Sequence, residues 1–292
     1  MAKWISSIDN ELNNLSVVFL NRNVKNYLIL AIKSFLHFYP ELKNNIIVFD
    51  DDSVDGSVDW LKKENITILS PSKNIKFKHS HGTRVGLVVN NLLNQIQSKY
   101  LFISDSDVAF KQKDFLLNYM GNIDKYKVFA RKIIQKISKR ELKEKYEEYK
   151  ILVNQEDYEK SELDNRINIP RIPQYHIFCD LEYLKQYNIH YHIKRFNDNR
   201  FDNGHEFLYQ LIKNNISHKV ISKEDENKII THFGFITAIY DSIHFDWRCN
   251  EEAHNFDYEK YLKKKDEIIT SNKLWNDIKI KYNLNFVESI LE

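Results

Sequence analysis

The chain has 292 residues, 42% hydrophobic and 29% charged, enough to bury a substantial core as one large domain or two small ones. Its 43 Lys and Arg against 41 Asp and Glu leave a net charge of +2, so no strong field draws it to nucleic acid or anionic lipid. Two cysteines, Cys179 and Cys249, cannot build a disulfide framework, and a reducing, cytoplasmic compartment is the expectation. No apolar run reaches the ~20 residues of a membrane span, and Met1-Ala-Lys-Trp-Ile lacks the apolar stretch of a signal peptide.

In chain order, Leu15–Leu20 reads as a buried strand ending in Asn21-Arg22-Asn23. From Val24 to Tyr39, Leu28, Ile32, Phe35, Leu36 and Tyr39 recur at helical spacing until Pro40. Ile46–Phe49 is a second buried strand, running into the acidic turn Asp50–Gly56, which caps a short helix over Ser57–Lys63. A third strand covers Ile66–Leu69 and is closed by Pro71. The stripe Val85, Val88, Val89, Leu92, Leu93, Ile96 predicts a helix over 83–97, and Tyr100–Ile103 is a fourth strand. Apolar strands alternating with helices predict an α/β fold with a mostly parallel sheet.

Beyond Ala130 the pattern changes. Lys and Glu of mixed sign crowd residues 131–160, which predicts one or two exposed helices held by i,i+4 pairs. Pro170 and Pro173 precede an apolar stretch, Tyr175–Phe178; a helix over 206–213 and a strand over 219–221 follow. The last fifty residues read as helical. The expected divisions are an N-terminal segment 1–14, a nucleotide-binding half 15–130, a second half 131–235 and a helical extension 236–292.

Asp105-Ser106-Asp107 closes the fourth strand. Alternate strand side chains share a face, so the two carboxylates point together, beyond the carboxyl end of a strand, where α/β sheets bind ligands. Two such groups repel unless a cation sits between them, and a hard divalent metal that also grips phosphates resolves the conflict. The turn Asp50-Asp51-Asp52-Ser53-Val54-Asp55-Gly56 opens like a calcium loop, but Lys62 stands where that loop needs a bidentate Glu. Asp50-x-Asp52-x-Val54 also resembles the nucleophile motif of haloacid-dehalogenase-type phosphatases. His79 and His81 would share a face of an extended segment, without a third ligand in view.

Taken together, Ser16–Arg22, Asp50–Ser57 and Tyr100–Asp107 resemble the GT-A glycosyltransferases, family 2 in particular. The resemblance covers about residues 15–120, with Asp52 where Gly or Asn is usual and Val108 where a third acid is common. It implies a GT-A fold and a metal-dependent, inverting transfer of sugar from a nucleotide-sugar donor, most simply a UDP-sugar, to an acceptor hydroxyl. Asp51, Asp105, Arg84 and Asn21 are then expected at the donor, and Asp107, Asp105 and His232 at a Mn²⁺ or Mg²⁺ ion. Asp202, in Asp202-Asn203-Gly204, is the first candidate for the base, and Glu206 the second. His232, from Thr231-His232-Phe233-Gly234, resembles a late H-x-G element, and Trp247 and Arg248 are candidates to cover the donor. Three acceptor classes fit, namely a glycan, a lipid-linked sugar or a protein. A peripheral membrane contact through Tyr and Lys is a further role open to the charged 131–170 segment. The competing readings are the phosphatase with Asp50 as nucleophile and a nucleotide-sugar-binding module without catalysis.

Overall fold

The computed structural model describes residues 11–70, 81–143, 149–162, 165–173, 175–191 and 203–233. Their packing forms two compact units. One lies within Met1–Ser16, Pro71–Ile103 and Leu117–Lys223, the other within Val17–Ser70, Ser104–Leu116 and Glu224–Glu292.

The second unit carries β1 (Leu15–Asn21) from Val17 onward, β2 (Ile46–Asp50) and β3 (Thr67–Leu69), all parallel. Val17, Val18, Phe19, Ile46 and Val48 are buried, as strands covered on both faces require. The register pairs Val17 with Ile46 and so brings Asn21 opposite Asp50 at the carboxyl ends. Helix α1 (Lys25–Phe38) buries Leu28, Ile32 and Phe35 and stops before Pro40, which opens a 3-10 turn. Phe35 meets Phe19 and Phe110 edge to face, with ring centres 6.1 and 5.2 Å apart. Phe110 belongs to β5 (Val108–Phe110), and its backbone N–H donates to the buried Ser34 hydroxyl at 3.0 Å. Helix α2 spans Ser57–Lys63, as its sequence predicts.

The other unit contains α3 (His81–Gln95) and β4 (Tyr100–Asp105), whose last two residues pass into the second unit. Helix α4 (Phe115–Met120) precedes β6 (Val128–Arg131). With β9 (Ile177–Asp180) and β10 (His218–Ile221), these strands run in the order β10-β6-β9-β4. Strand β9 is antiparallel to β4 and β6, and β10 is parallel to β6. In its core Tyr119 stacks on Phe129, and Phe178 meets Phe129 edge to face. Asp180 caps α7 (Leu181–Gln186) by accepting from the Tyr183 N–H at 3.0 Å. Cys179 is buried, and burial pushes its thiol far up.

The charged segment departs from expectation. Residues predicted as helix form β7 (Ile133–Ser138), antiparallel to β8 (Arg166–Arg171) as a separate ribbon. Ile133, Gln135 and Ile137 alternate with exposed partners, a two-residue period that the surrounding Lys and Glu obscure. Two short helices, α5 (Lys139–Lys143) and α6 (Gln155–Lys160), do follow. His81 likewise begins α3 and is not extended, while His79 lies outside the described residues. Helix α8 spans Asn203–Lys213, starting earlier than predicted. The predicted C-terminal helical extension lies outside the described residues. No helix among those described is long and apolar enough to cross a membrane.

Candidate functional site

The site is built on the ends of β1, β2 and β4. In the turn after β2, buried Asp50 accepts from the Asn21 amide at 2.8 Å and from the Ser53 N–H at 2.9 Å. The Ser53 hydroxyl accepts from Asn21 Nδ2 at 3.1 Å and from the Asn23 N–H at 3.0 Å, while Asn23 Oδ1 accepts from the Val54 N–H at 2.7 Å. These bonds lock the turn after β2 onto the turn after β1. Asp52 takes the left-handed backbone with φ 57°, the conformation that explains Gly or Asn at this position in the resembled motif. Gly56 does the same at φ 81° immediately before α2, and Asp55 accepts from the Ser57 N–H at 3.0 Å.

Asp51 is left at the rim of this scaffold. Its N–H donates to Asn21 O at 2.9 Å. Arg22 Nη1 donates to its carbonyl at 2.9 Å and lies 3.5 Å from its carboxylate. Asp50, by contrast, is only 2% exposed and held by two donors, which fits a structural acid and not a nucleophile. Asn21 is also 2% exposed, and its amide nitrogen is spent on Asp50 and Ser53. The clue to this scaffold is the trio of polar residues, Asn21-Arg22-Asn23, directly after an apolar strand.

At the end of β4, Ser106 turns inward and donates to Leu20 O at 2.7 Å, leaving Asp105 and Asp107 on the other side. Strand β11 (Ile230–His232), which the sequence pattern did not predict, is preceded by α9 (Lys223–Ile229). It pairs antiparallel with β5, His232 opposite Val108, and the Phe233 N–H donates to Asp107 O at 2.8 Å. This two-stranded ribbon carries His232 across 125 residues of chain to the aspartates. His232 Nε2 lies 3.2 Å from Asp105 Oδ2 and 3.5 Å from Asp107 Oδ1. One ligand atom from each residue falls within 4.8 Å of the other two.

Burial alone would lower the His232 pKa. The charge of Asp107, the hydrogen bond and charge of Asp105, and the field of Glu226 outweigh it and carry the pKa up to about 9. A proton on His232 thus balances carboxylates that converge on one point. Two carboxylates and one imidazole are also a donor set for a divalent cation, which would displace that proton. The residues present fit such an ion.

The other predicted residues are Glu206, Arg84, Asp202, Trp247 and Arg248. Glu206, in the first turn of α8, accepts from the Tyr149 hydroxyl at 3.0 Å and from Gln210 Nε2 at 2.9 Å. Arg84 belongs to α3, its side chain outside the described set. Asp202, Trp247 and Arg248 lie outside the described residues.

Among solved structures, TarS from S. aureus is similar with a TM-score of 0.44 and 15% identity, over 82% of this chain and 67% of that one. Glucosyl-3-phosphoglycerate synthase from Mycobacterium tuberculosis, in complex with Mn²⁺, UDP and phosphoglyceric acid, gives 0.42 and 14%, over 70% and 66%. The bifunctional IspDF from Campylobacter jejuni gives 0.39 and 16%, over 72% and 50%. The chain therefore spans about two thirds or less of these relatives' length. Sequence comparison with curated proteins finds no match. The family model for glycosyl transferase family 2, however, matches residues 16–180. That range is more than half of the chain and holds the turn after β2 together with Asp105 and Asp107; the chain belongs to glycosyl transferase family 2, with an α/β fold of the GT-A type and a mainly parallel central sheet.

Proposed function

We propose that this chain is a metal-dependent, inverting transferase that moves a sugar from a UDP-sugar to an acceptor hydroxyl. The observation that carries the reading is the convergence of Asp105, Asp107 and His232 at the end of β4, in a chain of this family. Those three side chains would hold Mn²⁺ or Mg²⁺. When bound, such a cation neutralises the charge that builds on a nucleoside diphosphate leaving group.

The remaining roles belong to the protein. Asp51, held at the rim by Arg22, accepts from the nucleobase, and Asp105 reaches toward the ribose side of the donor. The Asn21–Asp50–Ser53 bonds keep the turn from shifting as the donor enters. Arg84 adds a contact to the diphosphate. Asp202 takes the proton from the acceptor hydroxyl as it attacks, with Glu206 as the second choice. In this reading residues 15–130 serve the donor, residues 131–235 serve the acceptor, and the protein works in the cytoplasm or at the face of a membrane.

A donor screen tests the proposal. UDP-, GDP- and CMP-sugars are added with and without Mn²⁺, following thermal shift and slow donor hydrolysis, on the natural chain and on Asp107→Ala. A metal-dependent shift with hydrolysis for UDP-sugars, lost in the variant, is expected. Binding with no hydrolysis, and no transfer to any acceptor offered, would favour a binding module. No response to any nucleotide sugar would overturn the reading.

A further inference from the structure

The ribbon that replaces the expected charged helix has two unlike faces. Its register pairs Gln135 with Ile169 and Ile137 with Ile167, and paired residues on adjacent strands share a side. Ile137, Ile167 and Ile169 are buried, and α8 packs against β8. The alternate pairs, Ile134 with Pro170, Lys136 with Asn168 and Ser138 with Arg166, therefore form the opposite face. Ile134, Lys136, Asn168 and Arg166 are all exposed there.

That outer face carries cations and no acid. Lys136 and Arg166 occupy diagonal positions on the two strands, and exposed Lys132 directly precedes β7. Among the described residues, none forms an ion pair with Lys132, Lys136 or Arg166. Acids of the same segment, Glu156, Asp157 and Glu159, belong to α6, where Glu156 pairs with Lys160. Like charges on neighbouring strands repel, so the row is relieved only by negative charge from outside it. Between Lys132 and Lys136 stands Ile134, an apolar side chain left 54% exposed.

We propose that this face docks reversibly on an anionic lipid bilayer, with Lys132, Lys136 and Arg166 at the headgroup phosphates and Ile134 entering the acyl boundary. A soluble polyanion would match the cations but leave Ile134 in water, whereas a bilayer offers an apolar layer directly beneath its charged one. The net charge of +2 does not decide the matter, because attraction to a charged surface fades within a Debye length and is set by the face that meets it. That the membrane presents a lipid-linked acceptor rests on the transferase reading; the contact itself does not.

The test is co-sedimentation of the full chain with vesicles of phosphatidylcholine, alone or mixed with phosphatidylglycerol. Binding to the mixed vesicles only, weakened by added salt, is expected. Lys136→Gln and Arg166→Gln should each weaken it about fivefold, and Ile134→Ser by a similar factor, while Lys160→Gln on α6 binds as the natural chain does. Should a variant fail to fold, acetylation of the natural chain by acetic anhydride replaces it; mixed vesicles should shield Lys132 and Lys136 and leave Lys160 reactive. Equal binding to both kinds of vesicle, full binding by folded Lys136→Gln and Arg166→Gln, or no shielding overturns the contact. Binding of dextran sulfate but of no vesicle, or unchanged vesicle binding by Ile134→Ser, overturns the bilayer as its occupant. Vesicle binding by a chain that ignores every nucleotide sugar would uphold the contact while removing the transferase reading.

Discussion

Two polar clusters in this protein use histidine in opposite ways. Beside Asp105 and Asp107, His232 is carried up to about 9 against the pull of burial. Beside Arg131 and Arg171, His176 and His205 are driven down to about 3, burial and the neighbouring charge acting together. The residue type is the same and desolvation has the same sign in both places. What differs is the charge of the neighbours, carboxylates in one place and guanidiniums in the other.

The most damaging way to break this contrast is to remove a carboxylate. Asp107→Ala should lower metal-dependent donor turnover by about 10³-fold, the scale expected when charge stabilisation at a leaving group is lost. NMR titration of the metal-free variant should also show His232 moving down from about 9, since Asp107 is the largest raising influence on it.

Acid sharpens the contrast from the other side. His176 and His205 fold with pKa near 3, whereas an unfolded histidine titrates near 6.5. Between those values the unfolded chain binds more protons, so stability falls as pH drops below about 6.5. Each histidine contributes up to about 1.4 kcal/mol per pH unit, until about pH 3. His232 without metal has the opposite sign: its stabilisation is complete below about 6.5 and is lost as pH rises through 9. Urea melts at pH 5, 7 and 9 measure both limbs, and His176→Phe should flatten only the acid one.

Smaller effects belong to the scaffolds. Asn21→Ala strips two hydrogen bonds from the buried Asp50–Ser53 turn and should cost about 1–3 kcal/mol in urea denaturation, with a raised KM for donor. Gly56→Ala keeps φ at 81° only with strain, and should cost about 1–2 kcal/mol. At the bottom, Lys160→Ala removes an exposed pair with Glu156 and should change stability by less than about 0.5 kcal/mol.

Much of the donor side is legible in the order of amino acids alone. Apolar runs such as Leu15–Leu20 and Ile46–Phe49 announce buried strands, and polar residues at their ends announce loops. Aspartates two apart after such a strand state their own chemistry. The ribbon is harder to see, because its inward Ile133 and Ile137 are interleaved with Gln, Lys and a second isoleucine, and flanked by Lys and Glu. Residues whose role is to hold others, such as Ser53 and Asn23, leave no periodic trace at all.

Local sequence sets the order of strands and helices as far as β4, the two acidic turns and the family pattern they compose. Those features depend on neighbours a few residues apart, where hydrophobic period and turn chemistry act directly. It takes the folded chain to bring His232 to Asp105 and Asp107, to make Asp50 a buried brace, and to set Arg131 and Arg171 beside the buried histidines. Each of these follows from strand register, β11 against β5, β1 beside β2, β6 against β9 and β7 against β8. Register is fixed by burying one whole face of a strand, a condition the packed fold imposes and no local stretch of sequence contains.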